Sequence, residues 1–386
     1  MRIETFAMER MQSTWENRVA FNLSESGVHP MRLEELLGMD SAVRGETINP
    51  DLVRLLKQEL VYTQSNGTPE LRRAIAQMYP GATDEHVQVT NGGSEANYIT
   101  VWHLVEPGDE VVMMTPTYMQ AWGLARAFGA VVKPWALTEQ STQRGGRWRP
   151  DLDELASLVT SRTKLVVICN PNNPTGARLD AADLDAIARI ADRHGAWILA
   201  DEIYRGAEPD GHETPSIWGR SERAIVTSGL SKAYGLPGLR IGWLVAPPSL
   251  TATLWSYHDY TTIAPGALSD LLARMALDPE RRGTIIERTR GIIRTNYEML
   301  RGWLDPRAEG FQHITPEAGA IAFVRYRHGI NSTELVTRLR DRHSVLLVPG
   351  DHFHMDGYLR IGFGTEPAIL TEGLRRLEVL LETAAV

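Results

Sequence analysis

Residues 228–243 read Ser-Gly-Leu-Ser-Lys-Ala-Tyr-Gly-Leu-Pro-Gly-Leu-Arg-Ile-Gly-Trp, which sets Lys232 eight residues before Arg240 among small residues. Small residues let the backbone turn tightly and approach a ligand closely. A lysine in such a turn suits an imine to an aldehyde cofactor, and an arginine at that offset suits a phosphate, which its planar fork grips. The run begins where the β-branched stretch Ala224–Ser228 ends, so the pattern around it bears directly on the fold.

From about residue 85 to 245, short β-branched runs alternate with longer amphipathic stretches, the signature of a parallel sheet covered by helices. Strands are expected at Val87–Thr90, Glu110–Met114, Ala130–Pro134, Lys164–Cys169, Trp197–Asp201, Ala224–Ser228 and Ile241–Ala246. Helical patterns such as Glu95–Leu104 and Ala181–His194 lie between them, at lengths that suit βαβ crossovers. After about Asp278 the pattern changes to a long helix, Glu280–Leu304, then strands at Ile321–Tyr326, Val345–Pro349 and Tyr358–Phe363, and a closing helix Pro367–Thr383. The expectation is an α/β fold with a mostly parallel seven-stranded sheet in a large domain, plus a smaller α+β domain. Its divisions are an amino-terminal segment (1–45) joining the small domain, a large domain (46–278) and a small domain (279–386). Thr138–Arg149 reads as an exposed loop.

The 386 residues are 43% hydrophobic, enough for a substantial core, and carry 40 basic against 48 acidic side chains for a net charge of -8. That balance, with no basic run, argues against a nucleic-acid partner. Met1–Gln12 contains Arg2, Glu4, Glu9 and Arg10, and no stretch approaches the roughly 20 apolar residues of a membrane span. The single cysteine, Cys169, ends an apolar run and reads as a buried strand residue; it fits a reducing, cytoplasmic setting.

Several further segments carry chemistry. Val89–Asn97 passes from a strand through Gly92-Gly93 into a helix, whose free amides and dipole attract phosphate. Thr115-Pro116-Thr117-Tyr118 sets an aromatic ring after a strand. Asn170-Pro171-Asn172-Asn173-Pro174-Thr175-Gly176 follows another, and Leu199-Ala200-Asp201-Glu202-Ile203-Tyr204 places an acid where a parallel sheet opens to ligands. Arg360 interrupts the apolar run Tyr358–Phe363, an expensive location unless it meets an anion. No histidine pair among His29, His103, His352 and His354 has convincing metal-ligand spacing, so no catalytic metal is expected.

Taken in order from Tyr62 to Arg360, these segments resemble the class I/II aminotransferases among the fold-type I pyridoxal-phosphate enzymes. The resemblance implies that Lys232 forms the imine and, once released, moves the substrate α-proton. It places Asp201 on the pyridine nitrogen, Tyr204 and Asn173 on the phenolic oxygen, and the Tyr118 ring on the pyridine face. Gly93, Ser94, Glu95, Ser231 and Arg240 are implied around the phosphate, and Arg360 on the substrate α-carboxylate. Gly229 departs from the pattern, which often has serine three residues before the lysine, and puts one phosphate contact in question. The segment Tyr62–Arg72 resembles the one whose tyrosine reaches the neighbouring subunit's cofactor phosphate, which implies a homodimer with shared sites.

Asn22–Pro30 lies where related enzymes run a substrate-covering loop. Its Glu25, close to Gly27, suits a substrate side chain bearing a guanidinium or amine. The expected activity is transamination of an α-amino acid. The same apparatus also serves elimination, replacement or cyclisation, and Ser24–His29 is loosely similar to capreomycidine-synthase-like proteins, which act on a hydroxylated arginine. A non-catalytic regulator of this fold is a third reading; it lacks room for a helix-turn-helix module before Asn22 and has no need of Lys232.

Overall fold

The strand Trp197–Asp201 occupies the middle of an eight-stranded sheet whose order is Val87–Thr90, Gly242–Val245, Ala224–Gly229, Trp197–Asp201, Thr163–Cys169, Glu110–Thr115, Val131–Thr142 and Gly145–Pro150. The computed structural model describes residues 2–38, 49–142 and 145–384, so the domain boundary expected at 45/46 lies outside the described residues. Five consecutive strands pair in parallel; Gly242–Val245 and Gly145–Pro150 run against their neighbours. Alternate residues of each strand face opposite cores. Val112, Val166, Ile198 and Val226 join the larger cluster, while Val111, Leu165, Leu199 and Ile225 join the other.

The eighth strand corrects the expectation of a loop at Thr138–Arg149. Val131–Thr142 folds back antiparallel on Gly145–Pro150, with Glu139 opposite Trp148. The stretch looks polar because one face carries its burial: Leu137 and Trp148 are inside, and Trp148 packs on Phe323 and Tyr358. Arg147 and Arg149 on the hairpin pair with Glu317 and with Asp180 and Asp183.

Beyond the large sheet, the helix Pro279–Leu304 starts at Asp278, whose side chain accepts from the Arg281 amide, with proline in the first turn. Its buried stripe, Ile285, Ile286, Thr289, Ile293, Asn296, Leu300 and Leu304, keeps the three-and-four spacing of one helix face. A four-stranded antiparallel sheet follows in the order Phe311–His313, Ile321–Tyr326, Tyr358–Gly362 and Val348–Pro349. The amino-terminal segment pairs with this region through Phe21-Asn22, parallel to Val345-Leu346. Preceding it, the helix Ala7–Trp15 crosses the mouth of the large sheet, where it meets Tyr118.

Candidate active site

The carboxyl ends of the parallel strands open on a cavity of about 570 Å³. Strand ends and the loops after them supply Tyr118, Asn173, Asp201, Tyr204, Ser231 and Lys232; Arg240 and Arg360 come from further along the chain. Sequence distance disappears here because each parallel strand delivers its last residue to the same edge.

Asp201 is the last residue of its strand. Its Oδ2 accepts from the Asn97 amide at 3.1 Å and its Oδ1 from the Ile203 amide at 3.1 Å. Burial raises its proton affinity, and those two donors only partly offset it. A positive charge at this end of the cavity is the partner such a carboxylate calls for.

The end expected to hold phosphate is equally built. Gly92, at φ 88, caps the helix Gly93–Leu104, and a Cβ there would stand 2.2 Å from Arg240 Nη2. Arg240 itself sits in the left-handed region at φ 51 and donates to Pro237 O (3.2 Å) and Asn91 O (3.4 Å). A guanidinium has five donors, so those bonds leave some for an anion beside Gly93 and Ser94. Gly229 now has a packing reason: a Cβ would come 2.8 Å from Ile241 O and 3.0 Å from Gly242 Cα, so a serine does not fit without backbone movement.

Lys232 projects into the cavity with its Nζ 3.9 Å from Glu25 Oε2, and Gly27 lies against it, where a Cβ would be 3.5 Å from Lys232 Cδ. Tyr204 donates its hydroxyl to Ser26 Oγ at 2.9 Å, and burial pushes its pKa above the ordinary value. Arg360 is 1% exposed. It donates through Nη1 to Asn173 Oδ1 at 2.9 Å and through Nη2 to Ser24 O at 2.5 Å, while its Nε has no partner. Asn173, with its oxygen held by Arg360, keeps its amide N–H groups for a ligand.

Two expected residues lie elsewhere. The Glu95 amide donates to Gly92 O at 3.2 Å, and its carboxylate turns away to the Asn91 amide, Thr262 and His258. Tyr62 is 86% exposed, away from the cavity of its own chain.

Other contributors escaped the sequence reading. Asn97 holds Asp201 while its own Oδ1 accepts from Thr227 Oγ1 at 2.7 Å. The helix Ala7–Trp15 forms a wall through Met8, Glu9 and Gln12, with Glu16 at its end. Glu9 Oε1 accepts from the Tyr118 hydroxyl at 3.0 Å, and the Phe6 and Tyr118 rings are 5.1 Å apart. The available signal was the spacing of Glu9 and Glu16, seven residues apart and hence on one helical face. Cys169 ends its strand as expected and also borders the cavity.

A model of the aminotransferase class I and II family matches residues 46–377. The chain belongs to the class I and II aminotransferases. Among relatives in this family, capreomycidine synthase of Streptomyces vinaceus is 34% identical over 367 residues, covering 94% of this chain and 90% of that protein. The crystal structure of a PLP-dependent aminotransferase from Streptococcus suis superposes with a TM-score of 0.89 at 34% identity, covering 99% of both chains. The PLP-dependent cyclase OrfR superposes with a TM-score of 0.85 at 29% identity, covering 99% of this chain and 98% of that one. The cofactor of this aminotransferase-family chain is therefore pyridoxal phosphate, and its fold is that of the aspartate aminotransferases, one of which, from Thermotoga maritima, matches over 98% of this chain.

Proposed function

We propose that the chain transaminates an α-amino acid, with Lys232 as the residue that carries the cofactor and moves the α-proton. Bound pyridoxal phosphate supplies an electron-withdrawing ring that stabilises negative charge at the substrate Cα. The protein does the rest. Asp201 keeps the pyridine nitrogen protonated, and Tyr204 and Asn173 donate to the phenolic oxygen. The Tyr118 ring stacks on the pyridine face. Gly93, Ser94, Ser231 and Arg240 bind the phosphate, with Glu95 closing that turn from behind. Arg360 forks onto the substrate α-carboxylate, and Lys232 then works as an acid and base at Cα.

The observation that carries this reading is Arg360: a fully buried guanidinium with an unpartnered Nε, lining the same cavity as Lys232. The test is an amino-acid panel scored by the cofactor's absorbance and by mass spectrometry for the keto acid. A donor that converts the cofactor to its amine form supports transamination. Substrate consumption that leaves the cofactor in its aldehyde form supports the second reading, elimination, replacement or cyclisation, which the resemblance to capreomycidine synthase and to a PLP-dependent cyclase favours.

Glu25 is our choice for the substrate side chain, with Gly27 beside it leaving room, and its charge favours a cationic group. An unchanged preference between arginine-like and apolar amino acids in Glu25→Ala would remove that assignment.

The active unit is a homodimer in which Tyr62 reaches the partner's phosphate. Support comes from a surface where Leu60, Val61 and Tyr62 are exposed near Tyr260 and Ile263, the two segments being tied by Thr63 Oγ1 donating to Pro265 O at 2.7 Å. The three-part division at residues 45/46 and 278/279 stands as part of this proposal, as does a cytoplasmic location, which the lone, buried free thiol of Cys169 favours. No helix among the described residues is long and apolar enough to cross a membrane, and no group of three metal-ligating side chains is found among them.

A further inference from the structure

The hairpin that completes the large sheet is pinned to the four-stranded sheet and the loop beside it. Glu139 and Trp148 stand opposite each other in the hairpin, so their side chains share a face. Glu139 Oε1 accepts from the Tyr358 hydroxyl at 2.9 Å. The buried Trp148 ring lies 6.3 Å from Phe323 and 6.5 Å from Tyr358. Arg147 pairs with Glu317 close by. A Cβ on Gly146 would stand 2.9 Å from Ile314 Cγ1, so glycine lets the hairpin come this close.

What the hairpin grips leads to Arg360. Tyr358 and Arg360 are two apart on one strand and face the same way, and Phe323 is opposite Arg360 on the neighbouring strand. The Tyr358 and Phe323 rings stack, 4.7 Å apart and 17° from parallel. Phe353 meets Phe323 edge-on at 5.6 Å and 79°. The Arg360 Cζ lies over the Phe353 ring, 5.6 Å from its centre, within the range of a cation–π contact. All four of these side chains are buried, and of the four only Arg360 lines the cavity. Asn173 Oδ1 and Ser24 O hold the two ends of its fork, and the Phe353 ring sets the plane. An arginine carries about 2 kcal/mol of rotamer entropy, and ordering it in advance removes that cost from binding.

We propose that Trp148 and Glu139 are positioning residues for Arg360: they clamp the aromatic stack on which its guanidinium lies and so fix the fork for the substrate α-carboxylate. The assignment rests on reading Arg360 as the receptor of that carboxylate, and it gives the polar hairpin a task at a site it does not touch. The hairpin belongs to the sheet that carries Asp201, whereas Arg360 belongs to the other sheet. Clamping one to the other therefore also sets the distance between the carboxylate fork and the cofactor end of the cavity. Without the indole, Phe323 and Tyr358 gain free space behind them, the stack relaxes, and Arg360 loses its fixed plane.

The experiment follows half-reactions of the holoenzyme by the cofactor's absorbance. Its two probes are whichever common amino acid reacts fastest with wild type, and the amine left when the α-carboxylate of that amino acid is removed. Trp148→Ala should raise the half-saturating concentration of the amino acid about tenfold, the worth of an ordered cation–π contact. Its limiting rate, and the reaction of the amine, should stay within about twofold of wild type. Loss of a buried indole can unfold a protein, so milder variants accompany it. Glu139 is exposed, and Glu139→Ala and Tyr358→Phe each delete one hydrogen bond; each should raise the half-saturating concentration about threefold. Glu139→Gln still accepts and should restore the wild-type value. Cofactor affinity should not change in any of them, because Asp201 and Arg240 stand on other elements. Equal losses for amino acid and amine, or no loss for either, would overturn the positioning role. Arg360→Lys is the reference: where it still separates the two probes, the carboxylate reading survives that failure. If Arg360→Lys does not separate them, or if the wild-type cofactor responds to no amino acid, the carboxylate reading falls and the positioning role with it.

Discussion

Asn97 donates to Asp201 Oδ2 at 3.1 Å across 104 residues of sequence, from the first helix turn-and-a-half after the phosphate loop to the end of the central strand. Burial makes the Asp201 carboxylate costly, and this amide is one of two donors that offset the cost. Asn97→Leu, similar in volume, should weaken cofactor binding and lower kcat about tenfold, the loss of one hydrogen bond to a buried charge. Titration of the apoenzyme with cofactor and steady-state kinetics would measure both; unchanged values would mean that Asp201 needs no such support.

Arg360→Lys should raise KM for α-amino acids and lower kcat/KM on the order of a hundredfold, because a point charge cannot replace a fork already shared with Asn173 and Ser24. The control is an amine without a carboxylate, whose slow reaction should change little. Equal losses for both ligands would indicate a structural arginine.

Gly229→Ser restores the residue more usual at this position and should nevertheless destabilise the protein. The new Cβ meets backbone atoms of Ile241 and Gly242 first, which cannot rotate away as the nearby Ile203 side chain can. Overpacking of this kind costs about 1–3 kcal/mol. A thermal melt would read it, and a variant as stable as wild type with tighter cofactor binding would contradict the packing argument.

Much of this was legible because parallel strands announce themselves. Seven β-branched runs gave seven strands, and each motif that follows one was carried to the same edge. The eighth strand was hidden because most of Thr138–Arg149 is polar and its inward face is marked chiefly by Leu137 and Trp148. Asn97 and the Glu9–Glu16 face were hidden for another reason. Their partners are remote in sequence, as with Tyr118 and Glu9, 109 residues apart, and no local pattern encodes such a contact. The Glu95 carboxylate was hidden in the same way: the helix start announces its amide, while the partner of its side chain is the loop around Thr262, 167 residues on.

That loop gives a pH prediction. Burial alone would raise the Glu95 carboxyl, but His258, Thr261 and the Asn91 amide hold it down to about 2. A carboxyl lowered from 4.5 stabilises the fold fully above that pH, and the contribution fades as pH falls toward about 2. Glu95→Gln should cost about 2 kcal/mol at neutral pH, the worth of a charged hydrogen-bond acceptor. The difference from wild type in denaturant titrations should narrow below about pH 4.5. A gap that stays constant into acid would show that the charge of Glu95 is not what matters.

The central claim is that Lys232, and no other lysine, carries the cofactor. Reduction of the holoenzyme with borohydride, followed by proteolysis and peptide mass spectrometry, tests it directly. The account predicts a phosphopyridoxyl group on the peptide containing Lys232 and no label in Lys232→Ala. A label on another lysine of the wild-type protein, or none at all, would contradict it.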